Sequence, residues 1–329
     1  MVNVKLLSFN KKKNSPRRLF FLTLTLLFIF IFSYFTAFRL LGIDRDYFQY
    51  KQFFDSLSLD YDGRFELGFV WLSLLIKNFG WPFCVLLFTT AYISLSAKFY
   101  LIAKLPNKFF WIGVYFLILL PLHEMTQLRV AIALGFGYLA IYFSINESLS
   151  VRVTVLAVLS VLFHWTLLVF VPFVVFSRFL KRRRVSLLIL IAFGPVVFIY
   201  FSFSFLSYLN PQVPAIVNAA SEMQANPFSA RNIIFLSIVA IGLANINRIQ
   251  SDQLPWFYLS FFGIFFWYGM MYIPVFAHRV FELTIFSYFL WIPSLPKFSR
   301  LLAMILISLI AIYLFVSVIY LEPIFRHDL

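Results

Sequence analysis

The sequence is short of charge, of acid and of cysteine. Only 12% of its 329 residues are charged, 13 residues are acidic, and Cys84 is the single cysteine. A lone thiol excludes an intramolecular disulfide and any zinc site built on several thiolates, and it leaves the redox compartment unread. No HExxH, GxSxG or CxxC motif occurs, so metalloprotease, serine-hydrolase and dithiol chemistries lack their residues. Gly135-Phe136-Gly137 has no third glycine or lysine after it and sits within an apolar run. It reads as helix packing, and a pump driven by a Walker-type site is excluded.

What is present is apolar. Hydrophobic residues make up 62% of the chain, aromatics 21%, and the mean hydropathy is +0.91, which excludes a soluble enzyme. Helices satisfy their own backbone hydrogen bonds in lipid, and the alternating strands of a barrel are missing, so the fold class is an all-α polytopic membrane bundle. Runs long enough to cross a bilayer fall at 19–38, 81–103, 109–122, 126–145, 185–206, 231–247, 254–273, 280–295 and 300–320. That gives about nine full crossings within one membrane domain spanning 19–320. Two further segments break the pattern and bring the expected membrane helices to between about nine and twelve. Residues 66–79 are short and contain Lys77. Residues 153–177 run between Arg152 and the Arg178 to Arg184 cluster, which predicts two short helices meeting near His164, with a plain span as the alternative.

The net charge of +14 does not point to nucleic acid, because the basic residues cluster at span ends. Lys11, Lys12, Lys13, Arg17 and Arg18 mark residues 1–18 as a cytoplasmic N-terminus, and basic loops of this kind bind anionic lipid heads. The threading then puts 39–65, 207–230 and a short C-terminus at 321–329 outside. Asp44, Asp46, Asp55, Asp60, Asp62 and Glu66 crowd the first outer loop, where Tyr47, Tyr50, Phe54 and Leu57 share one helical face. That pattern predicts an amphipathic helix on the outer surface.

Charged groups at the rim of a membrane domain are functional candidates by default. The outward set is Asp44, Asp46, Glu66, Lys77, His123, Glu124, Arg129, His164, Arg231, His278, Arg279 and Glu282. Arg129 and Arg279 each open an apolar helix, where a guanidinium suits a phosphate or a carboxylate. The alternatives are a snorkelling anchor for Arg129 and a pair with Glu282 for Arg279. Glu66 and Asp46 are the general-base candidates, although Asp46 also fits a helix N-cap. His164 fits either a hydrogen-bonded core position or a proton-moving one.

These pieces resemble a known family. DYFQYKQFF (46–54), FELGFVWLSLLIKNFG (65–80), QLRVAIAL (127–134), FHWTLL (163–168) and HRVFEL (278–283) are similar, in order and spacing, to the EpsG-like, Wzy-type membrane polysaccharide polymerases, with Leu67 where that pattern has proline. The resemblance implies joining of polyprenyl-diphosphate-linked oligosaccharide repeats, for exopolysaccharide, capsule or O-antigen, at the outer face of a bacterial inner membrane. It implies catalytic roles for Glu66, Asp46 and His164, and substrate or diphosphate binding by Arg129, Arg279, Gln127, His278, Lys77 and Tyr50. It implies no cofactor and leaves a metal requirement open. Partners would be membrane lipid and a chain-length regulator and flippase of the same pathway. The layout is also similar to GT-C glycosyltransferases, which keeps a lipid-phosphate sugar transferase as an alternative, beside a flippase of lipid-linked glycans.

Overall fold

A computed structural model describes residues 16–44, 46–58, 65–147, 149–182, 186–194, 197, 226–321 and 325. The expected span at 185–206 and the loop at 207–230 lie largely outside the described residues, as do the basic residues before Pro16. The described chain is helical throughout its regular structure: α1 (Pro16–Ala37), α2 (Tyr47–Ser56), α3 (Leu67–Asn78), α4 (Phe83–Ile102), α5 (Lys108–Leu119), α6 (Leu128–Glu147), α7 (Val151–Phe163) and α8 (Val171–Val175). After α9 (186–194) come α10 (Ala230–Ala244), α11 (Leu254–Gly269), α12 (Pro274–Trp291) and α13 (Lys297–Val316). Among the described residues, five helical segments are long and apolar enough to cross a membrane, and five shorter apolar helices accompany them. The chain is a helical membrane protein.

Local sequence explains the ends of these helices. Pro16 opens α1, where a missing N–H costs nothing. Ser150 caps α7 by accepting from the Val153 N–H. The helix α3 stops at Gly80, whose φ of +71° lets the Gly80 and Trp81 N–H groups return to the Lys77 and Ile76 carbonyls. Leu67 is the first residue of α3, a place where proline and leucine are both tolerated.

The helix α6 is the hub, packed against α4 and α7. Gly135 allows the approach to α4: a Cβ there would lie 3.0 Å from that of Ala97. Gly137 does the same for α7, with Ser160 Oγ 2.9 Å from the missing Cβ, so the Gly-Phe-Gly run is a packing motif. Polar side chains inside the bundle find partners, as a low-dielectric interior requires. Tyr138 on α6 donates to the Leu283 carbonyl at 2.8 Å and accepts from the Ser287 N–H. Trp291 on α12 donates to Ser260 on α11 at 2.9 Å.

The 153–177 segment does break where the sequence predicts. The helix α7 ends at Phe163, His164 is extended, and a tight helical turn, Trp165–Phe170, leads into α8. Both arms pack on α6. The predicted amphipathic helix is α2, with Tyr50, Phe53, Phe54 and Leu57 buried; Phe53 joins the face the sequence outlines, and Tyr47 is half-buried.

Candidate functional site

Three segments far apart in sequence meet at the start of α6. The Glu66 carboxylate, in the link between α2 and α3, receives Arg129 Nη1 on Oε2 and lies 2.6 Å from His164 Nδ1 through Oε1. Gly68 makes this possible. Its missing Cβ would stand 2.9 Å from the Phe163 ring and 3.0 Å from the Leu162 carbonyl oxygen, so only glycine lets α3 lie against the end of α7 and bring Glu66 to His164. The helix break then leaves the imidazole outside the helical ladder.

Aromatic groups finish the arrangement. The Arg129 guanidinium lies 4.7 Å from the Phe65 ring centre, and its Nε is 3.5 Å from the Tyr50 hydroxyl. Tyr50, Phe65 and Arg129 form one wall of an open groove of about 430 Å³, with Asp46, Gln49 and Gln52 on α2 and its start. Burial works to raise the Glu66 carboxyl, but the His164 hydrogen bond and the Arg129 charge together outweigh it and hold the group below its usual range. Glu66 is therefore ionised and can only accept, which makes His164 Nδ1 the donor and leaves Nε2 as the free nitrogen.

A second polar group forms beside the first. Gln127, two residues before Arg129, donates to Glu282 on α12 at 3.3 Å. One turn earlier on α12, His278 Nδ1 lies 2.5 Å from Arg231 Nη2 and accepts from the Trp267 indole at 3.2 Å. Arg279 is exposed and, among the described residues, makes no ion pair. The expected alternative of an Arg279–Glu282 pair is not formed; Glu282 takes the Gln127 amide.

Several expectations shift. Asp46 occupies the N-cap position of α2 but makes no capping bond with its side chain. It is exposed, and its own N–H donates to Asp44 at 2.9 Å. Asp44 is buried and paired with Arg39 at 2.8 Å. Lys77 donates to the Asp55 and Leu57 carbonyls at 2.7 and 2.8 Å, fastening α3 to the end of α2. His123 and Glu124 are not at the surface: both are fully buried in a π-helical turn, Leu120–Thr126. There Glu124 Oε1 accepts from Lys98, Ser94 and Tyr115 at 2.6–2.8 Å. Lys98 was missed by the sequence reading, though a lysine inside an apolar run, here in the second half of α4, is itself the signal. Among the described residues, no three His, Cys, Asp or Glu side chains are grouped to hold a metal ion.

A polytopic helical membrane protein with a carboxylate–imidazole–guanidinium cluster is the class that fold and site define. The profile of the EpsG family matches residues 22–326. The chain belongs to the EpsG family, whose membership fits a membrane polysaccharide polymerase. No curated protein and no solved structure matches it.

Proposed function

We propose that the protein polymerises lipid-linked oligosaccharide repeats at the outer face of a bacterial inner membrane, with its N-terminus in the cytoplasm. The observation that carries this reading is Glu66 held between His164 and Arg129 beside an aromatic-walled groove. In the reaction, the acceptor hydroxyl oxygen attacks the anomeric carbon of the growing glycan. The bond from that carbon to the diphosphate oxygen breaks, and the polyprenyl diphosphate leaves with the electron pair. The hydroxyl proton goes to the Glu66–His164 pair. Glu66 accepts the Nδ1–H, fixing the tautomer in which Nε2 is free to take the proton.

Arg129 is committed to Glu66, so it holds the base in place. Arg279, His278 and Gln127 lie across the start of α6 and stabilise the departing diphosphate. The half-buried Phe65 offers a ring for stacking on a sugar, the buried Tyr50 backs it, and Asp46 lies on the groove's rim.

The test is reconstitution. Purified protein given a lipid-linked repeat from its own host should produce a ladder spaced by one repeat unit, and Glu66→Gln and His164→Gln should each slow its formation about a hundredfold or more. Addition of a single sugar from a lipid-phosphate donor, with no ladder, would move the assignment to a GT-C-type transferase. Movement of the intact lipid-linked repeat between leaflets without transfer would make it a flippase.

A further inference from the structure

Charge is distributed unequally between the two polar centres. At the first, the Arg129 guanidinium is taken up by the Glu66 carboxylate. An incoming anion would have to displace Glu66 to reach it. At the second, Arg231 and Arg279 stand near one carboxylate, Glu282. Arg231 makes no ion pair among the described residues, and its guanidinium Nη2 lies 2.5 Å from a ring nitrogen, His278 Nδ1.

The surroundings fix these groups. His278 Nδ1 faces two donors, Arg231 and the buried Trp267 indole, so the imidazole is held as the tautomer with its proton on Nε2, a further donor. Arg231 is placed by a local cap. Asn226 Oδ1 accepts from the Phe228 N–H at 2.9 Å, Ser229 is the N-cap of α10, and the buried Asn232 amide donates back to the Asn226 carbonyl at 3.2 Å. Arg231 thus sits in the first turn of α10, where the helix dipole adds positive potential, with its guanidinium 5.6 Å from the Phe281 ring centre. Gln127 bridges from the start of α6 to Glu282 and sets this centre next to the first.

We infer that Arg231, with His278 and Arg279, forms a seat for a diphosphate, and that Arg129 is not part of it. Two guanidinium groups and an imidazole N–H drawn from two helices, opposed by one carboxylate, suit a multiply charged oxyanion better than a single carboxylate. The inference rests on the polymerase reading for its assignment of that diphosphate to the departing lipid carrier. Binding energy placed on the diphosphate, away from the base, separates leaving-group stabilisation from acceptor activation. In that division Arg231 contacts the leaving group, and Glu66 and His164 deal with the proton.

The experiment is equilibrium binding of farnesyl diphosphate to the full chain in nanodiscs of phosphatidylcholine, with inorganic diphosphate and farnesol as competitors. Arg231→Gln and Arg279→Gln should each weaken binding tenfold or more. Arg129→Gln should stay within about threefold of wild type, and Arg231→Lys, which keeps the charge, should retain most of the affinity while unfolding at the wild-type temperature. Inorganic diphosphate should compete and farnesol should not. Wild-type affinity in Arg231→Gln, a tenfold loss in Arg129→Gln alone, or competition by farnesol but not by diphosphate would each overturn the seat. Binding needs no turnover, so the two readings fail separately: normal binding without a ladder removes the polymerase, and a normal ladder with normal binding in Arg231→Gln removes the seat.

Discussion

Replacing Gly68 by alanine should cost activity although neither residue its new Cβ meets lines the groove. The new Cβ would meet Phe163 Cδ2 at 2.9 Å and the Leu162 carbonyl oxygen at 3.0 Å, with the carbonyl carbon at 3.1 Å. The phenyl ring can turn aside, but the backbone at Leu162 belongs to α7 and cannot. Relief therefore requires α3 to move away from α7 by about 0.5 Å, an overpacking strain of about 1–3 kcal/mol. Glu66 immediately precedes α3, so the 2.6 Å contact to His164 lengthens by a similar amount. A misplacement of 1 Å costs about a hundredfold in a well-aligned site, which makes half that shift worth about tenfold. The assay is the rate of ladder formation by purified protein, with thermal unfolding in detergent measured in parallel. Gly113→Ala is the control: nothing lies within 4 Å of its Cβ position, so the helix gains about 1 kcal/mol and the rate is unchanged. A Gly68→Ala protein with wild-type rate and wild-type unfolding temperature would refute the argument that this glycine docks Glu66 on His164.

Other outcomes follow from the same structure. Glu66→Gln and His164→Gln should lower the chain-extension rate by similar factors, and the double variant should be no worse than either, because the two act as a unit; multiplicative losses would separate them. The folded Glu66 carboxyl titrates below its unfolded value, despite burial, because of His164 and Arg129. Its stabilisation is therefore complete above the ordinary carboxylate range and is lost as pH falls through the lower, folded value. Arg129→Gln removes one of the groups that depress it, so less stabilisation is left to lose and the acid-side fall in unfolding temperature should be smaller than in wild type; identical acid profiles would contradict this. Lys98→Met strands a fully buried Glu124 carboxylate and should cost about 3–5 kcal/mol by thermal unfolding, with Lys98→Met/Glu124→Leu recovering most of it. No recovery in the double variant would mean that the pair is not the source of the loss. A cysteine placed at 207–225 in a Cys84→Ser background should react with an impermeant reagent from outside, and labelling from the cytoplasm alone would invert the threading.

Much of this protein was legible from its residues. Composition settled an all-helical membrane protein, because backbone groups in lipid have few other ways to be satisfied. The break at His164, the amphipathic face of Tyr50 and Phe54, and the packing role of Gly135 and Gly137 were readable because each depends on local pattern. Glu66, Arg129 and His164 were each picked out singly, as charged or titratable groups at the ends of apolar runs.

The tertiary structure decided which of them meet. Glu66 and His164 are 98 residues apart in the chain, and no periodicity reports a contact at that distance; it needs the bare backbone of Gly68 against α7. Lys77 received carbonyl partners, Glu124 a lysine on another helix, and Arg129, for which the sequence left phosphate and carboxylate open, a carboxylate of its own chain. A sequence records how costly each charge is to place in a membrane. Which opposite charge offsets that cost is fixed only when the helices pack, because ion pairing acts over a few ångströms and chain distance does not constrain it.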